Sequence, residues 1–483
     1  MKTVIIGNGI IALTTALRLA LKAKYGDKII IIGKSSRPNS ATMAAGAMLN
    51  SFCEIEEDSF KSDIDNTRFE MSYDASKMWN KFILDHLEVA MSHNCMLPEC
   101  ETCMGSKGAC FELGTYLINN CSADELDDAN YNAIVKALND FYEPYTEVDP
   151  KEIPNYHPQA KHRANRAIFI HNEGWLNPKL TLDSILASLK GFSCIEIVDN
   201  EAKKINEIAK NISSVTLIDD EEIEADRFLL AVGAAASNLI SKSNLSINIP
   251  RIFNGIGVSI QIKSPEYPHK KVIRTPNRGL ACGLYTVPFY KSPKVPYNEI
   301  LIGASNFVTP FESEGARVGS VQNLLKGAME QINTNFYKAE ITAVNIGYRP
   351  VCADTYPVFG KTSINNFVVC TGTKRDGFHL SPLLSELLQK LLDGETIDSK
   401  YDYFKPERNL IKNYTREKAI ETAVKHLMSA SNQHGYVPSH DKLNDKIKQM
   451  HREDLERLHD KVGAFDWGIP PELLDLYRFG HIS

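Results

Sequence analysis

The N-terminal pattern of apolar and polar residues predicts a strand, a helix and a second strand in quick succession. Residues 2–6 form a short apolar run rich in β-branched side chains, and residues 10–24 carry apolar side chains at helical spacing. A second apolar run covers residues 28–32, after a turn at Gly26 and Asp27. Elements in this order are typical of a βαβ unit with parallel strands.

Later apolar runs predict two kinds of sheet. Residues 227–232 and 367–371 have the continuous apolar character of buried strands and are expected to join the first βαβ unit. Alternating runs predict an antiparallel sheet, and helical spacing recurs between them. The alternating runs are 167–171, 257–262, 283–288 and 299–303, and the helical segments are 179–190, 317–332 and 382–393.

Residues 405–483 have a different character, because they are rich in charged residues and mostly helical by spacing. One apolar stripe runs along them, and Pro470–Pro471 interrupts the pattern before a last short helix through Leu473, Leu474 and Tyr477. The stripe consists of Leu443, Ile447, Met450, Leu455, Leu458 and Val462. An apolar face has to be covered. It is expected to pack on its own chain, on a second copy or on a protein partner, and the sequence leaves these three open.

The composition fits a large globular protein and excludes several classes of function. The chain has 483 residues, of which 43% are hydrophobic, enough for a large core in two joined domains. A formal net charge of -6 gives no reason to expect nucleic acid or an anionic membrane as partner. No apolar run is long enough to cross a bilayer, and no cleavage pattern follows the first strand. A cytoplasmic protein without a membrane partner is predicted.

The turn between the first strand and the first helix has the residues that a dinucleotide-binding turn requires. Gly7 permits the tight bend, Gly9 lets the backbone approach a pyrophosphate, and Ala12 lets the helix pack close to the strand. The helix N-terminus then offers unpaired amides and a partial positive charge to the phosphates.

One expected feature is missing from this unit. The second strand usually ends in a carboxylate that binds the adenosine ribose, whereas here it is followed by Gly33, Lys34 and Ser35. The ribose is therefore left to Lys34, Ser35, the backbone or water. Lys34 also suits the 2′-phosphate of NADP, but the remaining motifs favour FAD.

Taken in order, the motifs over residues 1–395 resemble those of the D-amino-acid-oxidase-like FAD-dependent oxidoreductases, and among them glycine oxidase. A run of small residues at 40–50 would let the backbone lie against a flat ring, although a small-residue helix start is the alternative. The other motifs are Gly174 to Pro178, Ala231-Val-Gly233, Tyr285 to Pro288, residues 302–304, Arg349-Pro with Asp354 and Pro357, and Arg375-Asp-Gly377.

The resemblance implies an α/β (α+β) fold in which a Rossmann-like FAD-binding domain carries an inserted antiparallel-sheet substrate domain and a helical C-terminal extension. The FAD-binding domain would comprise residues 1–90, 165–240 and 340–400. The substrate domain would comprise residues 91–164 and 241–339, and the extension residues 401–483. The implied reaction is oxidation of the C–N bond of a small amine or amino acid by hydride transfer to flavin, which leaves an imine.

The resemblance also implies the residues of the site. Arg349 would pair with a substrate carboxylate, Tyr285 would add a hydroxyl bond, and Arg375 and Met48 would lie beside substrate and flavin. A salt bridge for Arg349 and a core position for Tyr285 are the alternatives. The residues implied to bind the cofactor are Gly7, Gly9, Ile10, Ile11, Gly33, Lys34, Ala41, Thr42, Gly46, Ala47, Met48, Ala202, Gly233, Arg375, Asp376, Gly377, Phe378, His379 and Leu380.

Two further expectations concern the segment after Arg375. The helix that begins near Ser381 would direct its N-terminus at the flavin C2 carbonyl and stabilise negative charge there. His379 either shapes the substrate pocket or caps that helix, and the cap is the favoured interpretation.

Four cysteines with a neighbouring histidine have the density of a metal site but not its spacing. Only Cys100 and Cys103 form the short pair that a structural zinc site uses, and Cys95, Cys110 and His93 are irregularly placed. Reduced thiols and no metal are predicted, with a redox-active pair or a zinc or iron–sulfur site as alternatives.

Two other functions stay open at this level. The first is a tailoring flavoenzyme that acts on a carrier- or protein-bound amine, with the extension as its docking platform. The second is a catalytically silent FAD-containing scaffold protein.

Overall fold

The computed structural model describes residues 1–82, 111–264, 269–280, 282–289, 298–433 and 440–482. The strands are β1 (Lys2–Ile6), β2 (Lys28–Ile32), β3 (Met48–Leu49), β4 (Phe111–Asn120), β5 (Tyr145–Val148), β6 (Ala164–Leu176), β7 (Ile195–Val198), β8 (Ala202–Ile208), β9 (Asn211–Leu217), β10 (Glu222–Glu224), β11 (Arg227–Leu230), β12 (Ile252–Lys263), β13 (Val272–Arg274), β14 (Tyr285–Pro288), β15 (Glu299–Gly303), β16 (Phe307–Thr309), β17 (Glu340–Cys352), β18 (Val358–Lys361) and β19 (Phe367–Thr371). The helices are α1 (Ile10–Lys22), α2 (Ala41–Ala44), α3 (Asp63–Phe82), α4 (Glu125–Asp140), α5 (Pro178–Lys190), α6 (Ala236–Ser243), α7 (Val318–Gln331), α8 (Ser381–Leu392), α9 (Arg416–Gln433), α10 (Asp441–Lys461) and α11 (Leu474–Arg478).

The first sheet has the strand order β18-β19-β11-β1-β2-β7, and only the edge strand β18 is antiparallel to its neighbour. Ile6 pairs with Ile32 on one side and with Leu230 on the other, so the carboxyl ends of three central strands meet at one edge. In open parallel sheets, ligands bind at this edge.

Alternate residues of the central strands enter two different cores. Ile5 and Ile31 join a cluster with Leu17 of α1 and Leu384 of α8, whereas Ile6 lies in a cluster on the opposite face. Because both faces of the sheet are covered, the strands are apolar along their whole length. This burial explains the unbroken run of four isoleucines in β2.

The second sheet has the order β16-β12-β15-β14-β13-β4-β6-β3, with β17 beside β12 and β5 beside β6. Its pairings are antiparallel except that β13 runs parallel to β4. The first sheet takes its strands from residues 2–32, 195–230 and 358–371, and the sequence predicts this discontinuous order. The domain boundaries given above stay a prediction.

Several predicted elements end or begin elsewhere than expected, and three of them have a local cause or a shorter extent. The first helix ends at Lys22 rather than residue 24, because the Asp27 carboxylate accepts the Lys24 amide in the following turn at 2.8 Å. The strand predicted for 227–232 ends at Leu230, before Gly233 turns the backbone with a φ of 59°. The strand predicted for 283–288 begins only at Tyr285.

The C-terminal extension packs on its own chain. Phe253 of β12 and Val351 of β17 share a buried cluster with Ile420 of α9, Leu455 of α10 and Leu473. Along the predicted stripe Leu455 and Leu458 are buried, Ile447 and Val462 are partly buried, and Met450 is exposed. Of the three alternatives, the described structure therefore shows the contact with the body of the same chain.

Two sequence expectations concern a membrane-spanning segment and a metal site. Within them, no helix is long and apolar enough to cross a membrane, and no group of three His, Cys, Asp or Glu side chains is arranged to hold a metal ion. Cys95, Cys100, Cys103 and Cys110 lie outside the described residues, as does His93.

Candidate active site

A cavity of about 790 Å³ opens at the carboxyl edge of the first sheet. Its walls include the β1–α1 turn, the segment before β3, the loop after β2 and the segment between β19 and α8. A volume of this size lies within the ordinary range for cofactor and ligand sites. Every residue predicted to bind the cofactor lines this cavity except Leu380, which lines a smaller neighbouring cavity.

The β1–α1 turn leaves room and donors for an anion. Gly7 has a φ of 118°, and a Cβ there would lie 2.3 Å from the Ala231 carbonyl oxygen, so only glycine fits. α1 begins at Ile10 after Gly9, which has no side chain to cap the helix, and its first turn has no acidic residue. The Thr42 hydroxyl accepts the Ile10 amide at 3.3 Å and thus lies at the helix start. These features fit a bound pyrophosphate.

The carboxylate that usually follows the second strand is missing after β2, but carboxylates follow the neighbouring strand β7. β7 pairs with β2 in parallel, and the Gly33 amide donates to the Val198 carbonyl at 3.1 Å. The residues after β7 therefore lie beside the residues after β2. Lys34 Nζ lies 2.5 Å from a Glu201 carboxylate oxygen, and Glu201 lines the cavity.

Asp199, in the same short segment, faces a different partner. Its carboxylate accepts the Ser35 amide and the Ser35 hydroxyl, each at 2.7 Å. Asp199 does not line the cavity, whereas Glu201 does. Sequence reasoning missed Glu201, because its relevance depends on the pairing of β2 with β7, although the polar residues that follow the run 195–198 were a usable signal.

A smaller cavity, of about 180 Å³, adjoins the larger one. Six residues line both cavities, so the two share one wall. They are Glu54, Cys282, Arg349, Lys374, Arg375 and Asp376. Two of the four predicted catalytic residues, Arg349 and Arg375, are in this wall, while Tyr285 and Met48 line the larger cavity only.

Arg349 points its guanidinium at neutral partners. Its Nη1 donates to the Ser305 carbonyl oxygen at 3.0 Å and to Asn306 Oδ1 at 3.1 Å. Among the residues that the structure describes, no carboxylate pairs with it, which speaks against the salt-bridge alternative. Its charge and its remaining donors are therefore available to an anion in the cavity.

Arg375, in contrast, is already paired. Its Nε lies 3.0 Å from Glu54, and its Nη2 lies 3.2 Å from Glu56. Glu54 also contacts the fully buried Arg274 at 2.7 Å. Burial alone would raise the pKa of Glu54, but the charges of Arg375 and Arg274 lower it to about 2. Arg375 thus organises a buried charge cluster at the place where the resemblance puts it beside the substrate.

Tyr285 fits both sequence interpretations. Its ring is buried in an apolar cluster with Trp175 and also lines the larger cavity. The ring lies between two glycines, since a Cβ at Gly46 would be 2.9 Å from the ring and one at Gly303 would be 2.2 Å from it. Burial raises the pKa of Tyr285, so its hydroxyl stays protonated and can donate.

The favoured interpretation of His379 is wrong. The cap residue of α8 is Leu380, and no side chain caps the helix. His379 is buried, with its Nε2 2.8 Å from the Ser72 carbonyl oxygen of α3, and its own carbonyl accepts the Trp79 indole N–H. The imidazole therefore ties the segment before α8 to α3 instead of capping α8.

The N-terminus of α8 nevertheless stays open. The helix begins at Ser381, as expected, and the Ser381 hydroxyl is buried without a partner in the described structure. Gly377 and Phe378, just before it, line the larger cavity. The helix start therefore presents mainly its partial positive charge to a negative group here, since the Ser381 amide donates to the Phe378 carbonyl at 3.2 Å and Pro382 has no N–H.

Comparisons with known proteins give a family match over most of the chain. A family model described as "FAD dependent oxidoreductase" matches residues 2–391. The chain is similar to the bifunctional protein ThiO/ThiG of Trichormus variabilis, with 25% identity over 243 residues, which is 50% of this chain and 34% of that protein. The chain thus spans about a third of that curated relative.

Solved structures give the same fold. Glycine oxidase from Geobacillus kaustophilus is 19% identical, with a TM-score of 0.67 over 85% of this chain and 99% of that one. Iminodiacetate oxidase from Chelativorans sp. BNC1 is 16% identical, with a TM-score of 0.66 over 84% of this chain and 100% of that one. At such identities the likeness concerns the fold alone.

Proposed function

The chain belongs to the family of FAD-dependent oxidoreductases, and we propose that it oxidises the C–N bond of a small amino acid whose carboxylate pairs with Arg349. The proposal rests on the location of this arginine and on its hydrogen-bond partners. It lines both cavities, and its guanidinium has only neutral partners among the described residues. A charged group held in that way is suited to a charged ligand.

The cofactor assignment uses the residues of the larger cavity. The turn at Gly7 and Gly9 and the start of α1 would hold the pyrophosphate, together with the Thr42 hydroxyl. The segment from Ala41 to Met48 and residues 375–379 would border the flavin ring, and the open start of α8 would face its carbonyl edge. When bound, FAD supplies an oxidised ring that accepts a hydride from carbon.

The protein's own part is to bind and orient the substrate. Arg349 can hold a carboxylate with two parallel N–H donors, which fixes the rotation of the substrate about its axis. The Tyr285 hydroxyl would donate a third bond. Positioning of this kind supplies much of the rate of such a reaction, because the reacting carbon is held in the geometry for transfer.

No side chain needs to act as a general base. An amino group that enters in its neutral form already carries the electron pair that assists departure of the hydride, and the resulting imine hydrolyses in water. The site accordingly has to exclude solvent and hold the substrate rather than move a proton. Among the described cations of the shared wall, Arg375 pairs with Glu54 and Lys374 with Glu472, whereas Arg349 has no carboxylate partner.

The test is an absorption spectrum of the purified flavoprotein, recorded while amino acids and amines are added without oxygen. We expect an amino acid to bleach the oxidised flavin band and the amine that lacks its carboxylate to do so only at much higher concentration. Equal bleaching by both would contradict the role of Arg349. A flavin band that no free amine bleaches would favour the carrier-bound substrate or the scaffold.

A further inference from the structure

Residues beyond the family match reach the smaller cavity. Tyr414, His426, Pro470, Pro471 and Glu472 line it together with Arg349 and Arg375 of the body. The family model ends at residue 391. The C-terminal extension therefore adds a wall of its own to this cavity, which would hold the substrate if FAD fills the larger one, because Arg349 lies in the wall between them.

The helix α9 is fitted closely to the loop before β14. A Cβ at Gly279 would lie 2.3 Å from the His426 carbonyl oxygen and 2.6 Å from the Ala430 nitrogen. The Gly279 amide donates to the Ser429 hydroxyl at 3.3 Å. The backbone of the helix therefore lies so close to Gly279 that no side chain would fit there, and the Ser429 bond holds the loop against the helix.

A chain of hydrogen bonds joins His426 to Arg349 through that loop. Arg349 Nη1 donates to Asn306 Oδ1 at 3.1 Å, and Asn306 Nδ2 donates to the Leu280 carbonyl at 3.3 Å. The Leu280 amide in turn donates to His426 Nδ1 at 3.0 Å. The two side chains are thus held in fixed positions on the wall of one cavity.

The bond from Leu280 determines the tautomer of His426. A ring nitrogen that accepts an amide proton carries no proton itself, so in the neutral ring the hydrogen is on Nε2. Burial lowers the pKa of His426, against the charges of Glu56 and Glu472, and the ring is neutral at pH 7. The residue is 8% exposed, and Nε2 has no hydrogen-bond partner within the described residues.

We propose that His426 is a substrate-binding residue whose Nε2–H donates to an uncharged acceptor oxygen on the part of the substrate far from the carboxylate at Arg349. This rests on the proposed function, because Arg349 defines the near end. The substrate class is then an amino acid with an amide, carbonyl or hydroxyl oxygen in its side chain or on its nitrogen substituent.

The acceptor is uncharged because the cations near His426 are already paired. Within the described residues, Arg375 pairs with Glu56, Lys418 with Asp58 and Lys374 with Glu472. A second carboxylate on the substrate would therefore find no free counter-charge beside His426, whereas a neutral oxygen needs none.

The test uses unreactive ligands and the oxidised holoenzyme. The monoamides of malonic, succinic and glutaric acid are compared with alkanoates of equal chain length, and binding is followed through the change in flavin absorption. We expect one monoamide to bind the natural enzyme about five- to tenfold more tightly than its matched alkanoate, the size of one neutral hydrogen bond.

Two variants separate the two ring nitrogens. His426→Asn keeps an acceptor near the Nδ1 position for the Leu280 amide but removes the distal donor, so the preference for the monoamide should disappear. His426→Gln places an amide donor near the Nε2 position and should keep part of the preference. Binding of the alkanoates should stay within about twofold in both variants.

The outcomes distinguish the two proposals. A natural enzyme without any preference for a monoamide, or a His426→Asn variant that keeps it, overturns the role of His426 while leaving Arg349 intact. Alkanoate binding that is equal in the natural enzyme and in Arg349→Ala overturns the proposed function itself. A loss of alkanoate binding in His426→Asn would assign the histidine a purely structural role and overturn the inference.

Discussion

A Cβ atom at Gly257 would lie 2.4 Å from Nη2 of Arg349, so the guanidinium occupies the space that the absent side chain leaves. The two residues are on neighbouring strands, since Gly257 belongs to β12 and Arg349 to β17. The position of the proposed carboxylate-binding group therefore depends on a glycine ninety-two residues earlier in the chain.

Replacement of Arg349 by alanine should weaken the binding of a carboxylate-bearing substrate roughly ten- to hundredfold, because a charge-assisted pair is lost. FAD affinity should stay the same. The measurement is KM under steady-state conditions together with a flavin fluorescence titration. Arg457→Ala is the control, since that side chain is 70% exposed. Unchanged KM in Arg349→Ala would exclude the carboxylate role.

Gly257→Ala should raise KM in the same direction although the charge is kept, because the added methyl group displaces the guanidinium from Ser305 and Asn306. The double variant with Arg349→Ala should be little worse than Arg349→Ala alone, as expected for two changes that act on one group. Gly319→Ala is the matched control, since a Cβ there meets open space. Additive effects would show that Gly257 acts elsewhere.

Glu201→Gln should weaken FAD binding roughly tenfold and leave FMN binding unchanged. The Glu201 carboxylate would accept hydrogen bonds from the ribose hydroxyls of the adenosine, and FMN has no adenosine. Equilibrium dialysis of the apoprotein with each flavin gives the two dissociation constants, whose ratio is compared between the variant and the natural protein. Asp199→Asn tests the neighbouring carboxylate, which binds Ser35 and lies outside the cavity lining. An equal loss of FAD and FMN affinity would refute the ribose assignment.

Glu173 should make stability depend on pH. The side chain is 2% exposed, and burial raises its pKa to about 7, against the hydrogen bonds from the Phe52 and Cys53 amides. Between about 4.5 and 7 the folded protein then binds more protons than the unfolded chain, so the free energy of unfolding falls as pH rises through this window.

The corresponding measurement is the Tm of the holoprotein at pH 5 and pH 8. Glu173→Gln should reduce the difference between the two values, since the amide does not titrate. Glu224→Gln, at an exposed position, should leave it unchanged. A Glu173→Gln protein with the full pH dependence would show that other groups cause it.

Deletion of residues 401–483 should give an insoluble protein. The deletion uncovers Phe253 and Val351, which are 1% and 0% exposed in the full chain. Exposed apolar patches of this kind cause aggregation. The soluble fraction after expression is the measurement, with Met450→Ser as a control for a change on the exposed face of α10. A soluble flavoprotein would mean that the extension is a separate docking module.

The parts of the fold that the sequence predicts are those whose signal is local. The Gly7 turn and the four isoleucines of β2 identify the first βαβ unit within thirty-two residues, and the structure confirms it. Met48, Tyr285 and Arg349 were placed through a resemblance, and the structure brings them to one pair of cavities.

Other parts depend on distant pairings that no local pattern encodes. Glu201 becomes relevant only because β7 pairs with β2, and His426 only because α9 packs on the loop at Gly279. The cap predicted for His379 is wrong for the same reason, since its partner Ser72 is more than three hundred residues away. Side chains whose partners are distant in the sequence produce no periodic pattern in the residues around them, so the sequence alone does not identify them.

The order of the strands has a consequence for synthesis on the ribosome. Of the strands in this sheet β1 leaves the ribosome before the others, yet it lies in the middle of the sheet and pairs with β11. It therefore waits for some two hundred and twenty residues before that neighbour exists. The wall of the smaller cavity forms later still, since it includes Glu472. A nascent chain that has reached only residue 400 therefore lacks the side of the smaller cavity that Tyr414, His426 and Glu472 line, and long-range pairings of this kind form late in folding.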